Sequence, residues 1–156
     1  MSAAVEFLLN QASALQIAVH LLRCDCDFVP PLSSRVAITD YAQKIAGNAT
    51  RFEAWSGSIL VGLVAAYCND QETGAAYITS VSVCKEWTGQ GIAVKLMNQC
   101  IEHASVSDMR HLSLDVAADN AAAIKWYEKF GFVTSKVTGA SIGMNFYSKK
   151  SDKHEQ

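Results

Sequence analysis

Apolar residues in the first third of the chain recur at steps of three and four, the spacing of one helix face. This pattern covers residues 3–23, where Ser13 is placed to cap a second helical piece. The two prolines at 30–31 then require a loop or an extended segment. Asp40 and Gln43 form a capping-box pattern that predicts another short helix. The N-terminal third is therefore expected to be helical, and no strand is evident in it.

Beyond residue 50 the pattern changes to alternating or continuous apolar runs, which predict strands. The run at 58–67 is apolar on both faces and belongs inside a sheet, after a two-residue turn at Ser56-Gly57. The predicted strands are 51–55, 58–67, 75–83, 111–116, 132–137 and 142–147, and the predicted helices are 92–104 and 120–130. The predicted fold is mixed α/β (α+β), built around one central sheet. Its elements along the chain are N-terminal helices, an antiparallel meander, a helix, a strand, a helix and a final strand pair.

Length and charge narrow the class of protein. The chain has 156 residues, half of them apolar, so we expect one domain over 1–148 and a solvated tail at 149–156. A formal net charge of −2, with scattered Lys and Arg, argues against a nucleic-acid or membrane partner. No apolar run approaches the length of a membrane helix and no basic segment opens the chain, so a cytoplasmic location is expected.

The five cysteines show no metal-binding spacing with the four histidines. Cys24 and Cys26 are too close together for an ordinary zinc pair. An odd number of cysteines in a chain without an export signal is typical of reduced, buried thiols. The sequence therefore predicts no metal.

Two glycines, Gly89 and Gly91, stand between the strand predicted at 75–83 and the helix predicted at 92–104. Glycine lets the backbone approach a ligand closely, and a helix start favours a phosphate. No Walker A lysine follows, and Val94 stands where a dinucleotide fingerprint needs its third glycine. Asp115 lies near the distance at which that fingerprint has its acidic residue, so a dinucleotide site stays open as an alternative.

A second pattern lies in the helix predicted at 120–130, where Asn120, Ala123 and Tyr127 share one face before Gly131-Phe132. Together the two patterns resemble the GNAT superfamily of acetyl-CoA-dependent N-acyltransferases. Its loop reads Arg/Gln-x-x-Gly-x-Gly/Ala, and its later helix reads Asn-x-x-Ala-x-x-x-Tyr-x-x-x-Gly-Phe. The resemblance covers residues 51–147 and departs at one loop position, where Thr88 replaces the Arg or Gln.

The resemblance implies that backbone N–H groups of the loop hold the pyrophosphate of acetyl-CoA. The loop residues concerned are Thr88, Gly89, Gln90, Gly91, Ile92 and Ala93. It also implies that Val81 and Val83 pair with the pantetheine amides and that the Val81 N–H polarises the thioester carbonyl. Asn120 would contact the pantetheine arm, or simply cap its helix. Tyr127 would protonate the departing thiolate, or simply pack in the core.

A general base is harder to identify. Many members of the superfamily carry a carboxylate on the third meander strand, but here Tyr77, Thr79 and Ser80 stand there and do not ionise at neutral pH. A water relay, or an acceptor amine that arrives neutral, would then have to serve. Asp115 on the next strand and Glu53 on the first hairpin strand are more distant candidates for the base. The alternatives are a structural or solvated Asp115 and an outward-facing Glu53.

The leading interpretation is an N-acetyltransferase that moves the acetyl group of acetyl-CoA directly to a primary amine of a small molecule, such as an amino sugar. The acceptor is expected between the loop at 26–35 and the turn at 137–142. The loop residues concerned are Asp25, Asp27, Phe28 and Arg35. A protein N-terminus or lysine is an alternative acceptor, and a non-catalytic acyl-CoA-binding module is an alternative class. The last strand also offers an edge for a homodimer.

Overall fold

A computed structural model describes residues 4–28, 30–70 and 72–147, so the tail predicted at 149–156 lies outside the described residues. The strands are β1 Glu6–Leu9, β2 Thr50–Ser56, β3 Ile59–Asp70, β4 Ala75–Val83, β5 His111–Ala117, β6 Val133–Thr138 and β7 Ser141–Tyr147. The α-helices are α1 Ala14–Cys24, α2 Ile38–Asn48, α3 Ile92–Val106 and α4 Ala121–Phe130. The strands form a seven-stranded sheet in the order β1-β2-β3-β4-β5-β7-β6, which confirms the predicted mixed α/β fold.

None of the helices within the described ranges has the length and apolar character needed to cross a bilayer.

The N-terminal segment differs from the prediction because a strand precedes the helix. β1 pairs antiparallel with β2, with Glu6 opposite Trp55. Asn10 then adopts a left-handed φ of 57°, which ends the strand. Ser13 caps α1 through a capping box in which the Ser13 Oγ accepts from the Gln16 N–H at 3.1 Å. The helical spacing of the apolar residues before Ser13 therefore gave a wrong prediction, because β1 is stabilised by backbone pairing with β2.

Two further boundaries were predicted wrongly. α2 begins at Ile38 with Ala37 at its N-cap, and Asp40 lies inside the first turn instead of capping it. The β2–β3 hairpin turns at residues 57–58, one position later than expected, where Gly57 has a φ of 59°. Glycine adopts that conformation without steric cost, so it fixes the turn.

One compact unit comprises Met1–Tyr67 and Thr79–Cys100. Its core forms where the apolar faces of α1 and α2 meet β2 and β3, and it is centred on the fully buried Ile17, Leu21, Ile45 and Leu63. Gly62 on β3 permits a close approach of α3, because an added Cβ would lie 2.9 Å from the Ile92 side chain. The beginning of α3 is thereby held against the sheet.

The described residues of the second compact unit are 68–70, 72–78 and 101–147. In it the parallel pairing of β4 with β5 covers Ala75–Tyr77, and β7 lies antiparallel between β5 and β6. α4 contributes no fully buried residue, and all six residues of β6 are exposed. The register of β6 shifts between Thr134 and Lys136, which marks a bulge.

Candidate active site

The glycine loop follows β4 through a 3-10 turn at Lys85–Trp87 and ends where α3 begins. Gly89 and Gly91 have φ values of 80° and 78°, and no heavy atom lies within 4 Å of where a Cβ would stand at either position. Glycine is therefore required by the backbone conformation and not by crowding. The space in front of this backbone is open to a ligand.

Hydrogen bonding in the loop leaves several N–H groups available. Thr88 is occupied locally, since both its N–H and its Oγ1 donate to the Lys85 carbonyl, at 3.3 and 2.7 Å. In residues 4–28, 30–70 and 72–147, no loop or turn acceptor receives the N–H of Gly89, Gln90 or Gly91. Unpaired N–H groups at the start of a 15-residue helix make a site for an anion such as a phosphate.

β4 alternates between two faces. Ser80 and Ser82 are buried, whereas Thr79, Val81 and Val83 are only partly buried. The pairing with β5 ends at Tyr77, and β4 continues to Val83. Within the described part of the chain, the backbone of Val81 and Val83 thus has no β5 partner, and a strand-like ligand could use it.

α4 carries the two predicted residues of the second motif. Asn120 is the N-cap, and its Oδ1 accepts from the Ala123 N–H at 3.2 Å, so the capping role is confirmed. The Tyr127 ring packs edge-on against Trp126 and Phe132, with centroid distances of 5.3 and 5.9 Å. Burial raises the pKa of Tyr127 to about 12. Its hydroxyl is therefore protonated at neutral pH and can donate a proton.

Tyr77 and Asp115 form a hydrogen-bonded pair. The Tyr77 hydroxyl donates to Asp115 Oδ2 at 2.7 Å, and both side chains are exposed. Tyr77 lies opposite Ser113 in the parallel pairing, and Asp115 is the next residue on the same face of β5. Sequence reasoning treated the two residues separately, because only the strand register brings them together. Asp115 is thus solvent-exposed, as one of the two alternatives had it, and in addition accepts a hydrogen bond from Tyr77.

Glu53 is not outward-facing as expected. It is fully buried and accepts hydrogen bonds from the backbone N–H groups of Gln11 and Ala12 and from Trp55 Nε1, each at 3.0 Å. It also pairs with Arg51 Nε at 3.3 Å. All of its partners are structural, so Glu53 ties the residues before α1 to the sheet and offers no group to a substrate.

The acidic loop predicted near the acceptor is partly self-bonded. Asp25 accepts from the Ser33 N–H and Oγ at 2.6 and 2.7 Å, and these bonds hold the pKa of Asp25 below its usual value. Phe28 packs against the core cluster of α1 and α2. Asp25 and Phe28 therefore stabilise this loop, and Asp27 and Arg35 are the predicted residues left to meet an acceptor.

Comparison with known proteins agrees with these features. The profile of the "Acetyltransferase (GNAT) family" matches residues 16–132. The N-alpha-acetyltransferase 30 of Schizosaccharomyces pombe is 35% identical over 60 residues, which are 38% of this chain and 40% of that protein. The probable spermine N(1)-acetyltransferase of Bacillus subtilis subsp. natto is 27% identical over 49% of this chain and 51% of that protein. The chain thus spans about half or less of the length of these curated relatives.

Among solved structures, the PaiA N-acetyltransferase from Thermoplasma acidophilum, in complex with coenzyme A, superposes with a TM-score of 0.69. The sequence identity is 13%, and the match covers 92% of this chain and 99% of that one. At this identity the similarity shows the fold. The match of the family profile over most of the chain shows the family, and this chain belongs to the acetyltransferase (GNAT) family.

Proposed function

We propose that this protein is an acetyl-CoA-dependent N-acetyltransferase whose acceptor is the primary amine of a small molecule. The observation that carries the proposal is the open glycine loop at the start of α3, where Gly89 and Gly91 leave their backbone uncovered. Such a backbone fits the pyrophosphate of acetyl-CoA, because its N–H groups and the helix dipole both favour an anion.

Cofactor binding in this proposal uses backbone groups more than side chains. The N–H groups of residues 88–93 hold the pyrophosphate, and the backbone of Val81 and Val83 pairs with the pantetheine amides. Thr88 donates its hydroxyl to Lys85 and supplies no positive charge. Asn120 caps α4 with its oxygen, and its amide N–H groups would contact the pantetheine arm.

Each chemical step has a residue that can perform it. The Val81 N–H donates to the thioester oxygen and stabilises the negative charge that develops when the amine attacks, an effect of about 3 kcal/mol in comparable sites. As the carbon–sulfur bond breaks, the Tyr127 hydroxyl gives its proton to the departing thiolate. The Tyr127 hydroxyl holds this proton at neutral pH, as an ordinary tyrosine also does, and burial makes it a weaker acid than a free tyrosine.

Tyr77 and Asp115 supply the missing base. The Tyr77 oxygen takes a proton from the ammonium group of the acceptor while its own proton passes to Asp115 Oδ2, 2.7 Å away, and the neutral amine that results attacks the thioester. In this relay the Tyr77 oxygen is the atom that meets the acceptor, and the carboxylate of Asp115 is the final acceptor of the proton. The proposed base is therefore the hydrogen-bonded pair of Tyr77 and Asp115 and not either residue alone.

A small-molecule amine is favoured by one relative named as a spermine acetyltransferase and by the acidic side chain of Asp27. A protein N-terminus is the second candidate, because another relative is named as an N-alpha-acetyltransferase. Thiol release from acetyl-CoA with polyamines, amino sugars and short peptides as acceptors would rank the two.

The first experiment is a thermal melt with and without acetyl-CoA, using Gly91→Ala and a matched control, Gly57→Ala. Both glycines have positive φ and open space around them, so the two substitutions cost similar backbone strain. At 100 times its dissociation constant, acetyl-CoA should stabilise the wild type and Gly57→Ala by about 2.7 kcal/mol. Gly91→Ala should lose this gain. Equal stabilisation of both variants would contradict the assigned loop.

Tyr127→Phe separates a catalyst from a binding module. It should lower kcat about 100-fold or more, while acetyl-CoA stabilises the variant as much as the wild type. If no acceptor in the panel releases thiol from the wild type although acetyl-CoA binds, the non-catalytic module is the better description.

A further inference from the structure

Three metal-binding side chains meet in the interior of the first compact unit, apart from the residues assigned to catalysis. They are His20 and Cys24 on α1 and Cys84 just after β4, and one ligating atom of each lies within 4.8 Å of the others. All three residues are buried, with at most 2% of their surface exposed. Sequence spacing does not reveal the cluster, because Cys84 is far from α1 along the chain.

The cluster is held in position by regular structure. His20 and Cys24 are four residues apart, so they lie on the same face of α1. Cys84 is fixed by its backbone N–H, which donates to the Val61 carbonyl at 2.8 Å. Cys24 Sγ lies 3.8 Å from His20 Nε2, and Cys84 Sγ lies 3.6 Å from His20 Nδ1.

The imidazole is oriented in the way that metal sites require. His20 Nδ1 lies 3.1 Å from the Leu60 carbonyl, which can only accept, so Nδ1 carries the proton. The lone pair of Nε2 then points to Ser82 Oγ at 2.8 Å. A backbone carbonyl that fixes the tautomer in this way is the usual outer shell of a metal-bound histidine, and a cation at Nε2 would replace the hydrogen bond from Ser82.

We propose that His20 Nε2, Cys24 Sγ and Cys84 Sγ bind a Zn²⁺ ion, with Ser82 Oγ as the fourth donor. Two thiolates and one neutral imidazole around a divalent cation give a site with no net charge, which suits a buried position. Two ligands of one tetrahedral zinc ion stand about 3.3 to 4 Å apart, so the outermost of the three ligating atoms, which lie within 4.8 Å of one another, must approach by about 1 Å. Ser82 Oγ, 2.8 Å from His20 Nε2, must move outward, and Cys84 Sγ, which lies 3.6 Å from Nδ1, must turn toward Nε2.

Proton and charge balance follow from the buried state of the ligands. Burial raises the pKa of Cys24 to about 12 and lowers that of His20 to about 4, so the cluster without a cation holds neutral thiols and a neutral imidazole. Binding of Zn²⁺ replaces the two thiol protons, which pass to solvent. No oxidation or reduction takes place.

A surface groove has His20 in its lining. It has a volume of about 180 Å³, and its lining also includes Arg23 and Leu60. Arg23 is the charged residue of this lining, and it makes entry slower for a cation than a neutral rim would. The bound ion would link α1 to Cys84, the residue that precedes the 3-10 turn Lys85–Trp87. It would thereby stabilise the segment that leads into the glycine loop.

The test is a titration of the chelator-treated, reduced protein with Co²⁺, which gives a thiolate-to-cobalt charge-transfer absorption, followed by displacement with Zn²⁺. We expect one Co²⁺ per chain and full displacement. Cys24→Ala and Cys84→Ala should abolish the absorption or weaken binding by about 100-fold or more. Cys26→Ala, at an exposed cysteine, and Cys100→Ala, at a buried one, should leave binding unchanged and serve as controls.

Two outcomes overturn the proposal. One is the absence of the charge-transfer absorption in the wild type, and the other is its persistence in Cys24→Ala and Cys84→Ala. If those variants do not fold, X-ray absorption of the zinc-loaded wild type decides, because two sulfur neighbours at about 2.3 Å are required and a shell of nitrogen and oxygen alone contradicts the site. Acetyl-CoA binding is measured on the same samples, so the zinc site and the proposed activity can fail independently.

Discussion

The two compact units use polar side chains in opposite ways. In the first, Glu53 and His20 are buried and all of their polar atoms have partners within the unit. In the second, Tyr77 and Asp115 are exposed and bonded to each other. Burial makes a polar group expensive to disturb, whereas exposure leaves it accessible to a substrate. Substitutions at Glu53 and His20 should therefore change stability, and substitutions at the exposed pair should change rate.

Glu53→Gln should have the largest effect on stability. The amide retains the shape of the carboxylate but removes the ion pair with Arg51, which keeps only its bonds to backbone carbonyls, and its NH₂ group faces N–H donors. We expect the free energy of unfolding to fall by about 3–5 kcal/mol, measured by denaturant titration. Activity per folded molecule should be unchanged. A fall in the kcat of the folded variant would instead indicate that Glu53 takes part in catalysis.

His20 should make the first unit sensitive to acid. Its pKa is about 4 in the folded protein and 6.5 when unfolded, because burial disfavours the charged form. The unfolded chain therefore binds the extra proton as the pH falls through 6.5, and stability present above that pH is lost down to about pH 4. We expect a loss of about 3 kcal/mol between pH 7 and pH 4. Denaturant titrations of the metal-free wild type should show this component, and those of His20→Gln should not.

Asp115→Asn tests the exposed pair. Asparagine cannot take the proton that Tyr77 passes on, so kcat should fall about 100-fold at pH 7 and recover partly at higher pH, where the acceptor amine arrives neutral. The free energy of unfolding should change by less than about 1 kcal/mol, because the pair is exposed. Asp119→Asn, at a nearby exposed aspartate, is the matched control. An unchanged rate for Asp115→Asn would exclude the relay.

Asn120 should give the smallest effect, and its two roles can be separated. Asn120→Ala removes the cap bond to Ala123 and should cost about 1 kcal/mol of stability. Asn120→Asp keeps an oxygen for the cap but removes the amide N–H groups, so stability should be retained while the KM for acetyl-CoA rises. An unchanged KM would leave Asn120 with the capping role alone.

Local patterns were sufficient for most of the fold. β4 was predicted with its exact limits, and α4 with its cap at Asn120 and its end at Gly131, because strand alternation and helix caps are encoded within a few residues. β1 was missed, since most of its residues are exposed and no alternating apolar signal marks it. Its place depends on pairing with β2, which is more than forty residues away.

The candidate site was predictable where motifs carry it. The glycine loop, Asn120 and Tyr127 were identified from spacing and resemblance, and their roles remain predictions. The partners of Glu53 and of Asp115 could not be found from the sequence, because they depend on strand register and on the path of the chain before α1. For the same reason the meeting of His20 with Cys84 had no signal in the cysteine spacing.

The bulge in β6 bears on how this protein behaves at high concentration. A six-residue strand at the margin of a sheet, exposed on both faces, is a template on which further strands can add without limit. The shift of register between Thr134 and Lys136 breaks the regular row of N–H and C=O groups, and the lysine places a charge at the break. A variant that kept Val133 and Val137 but lost the bulge would be prone to aggregate through β6.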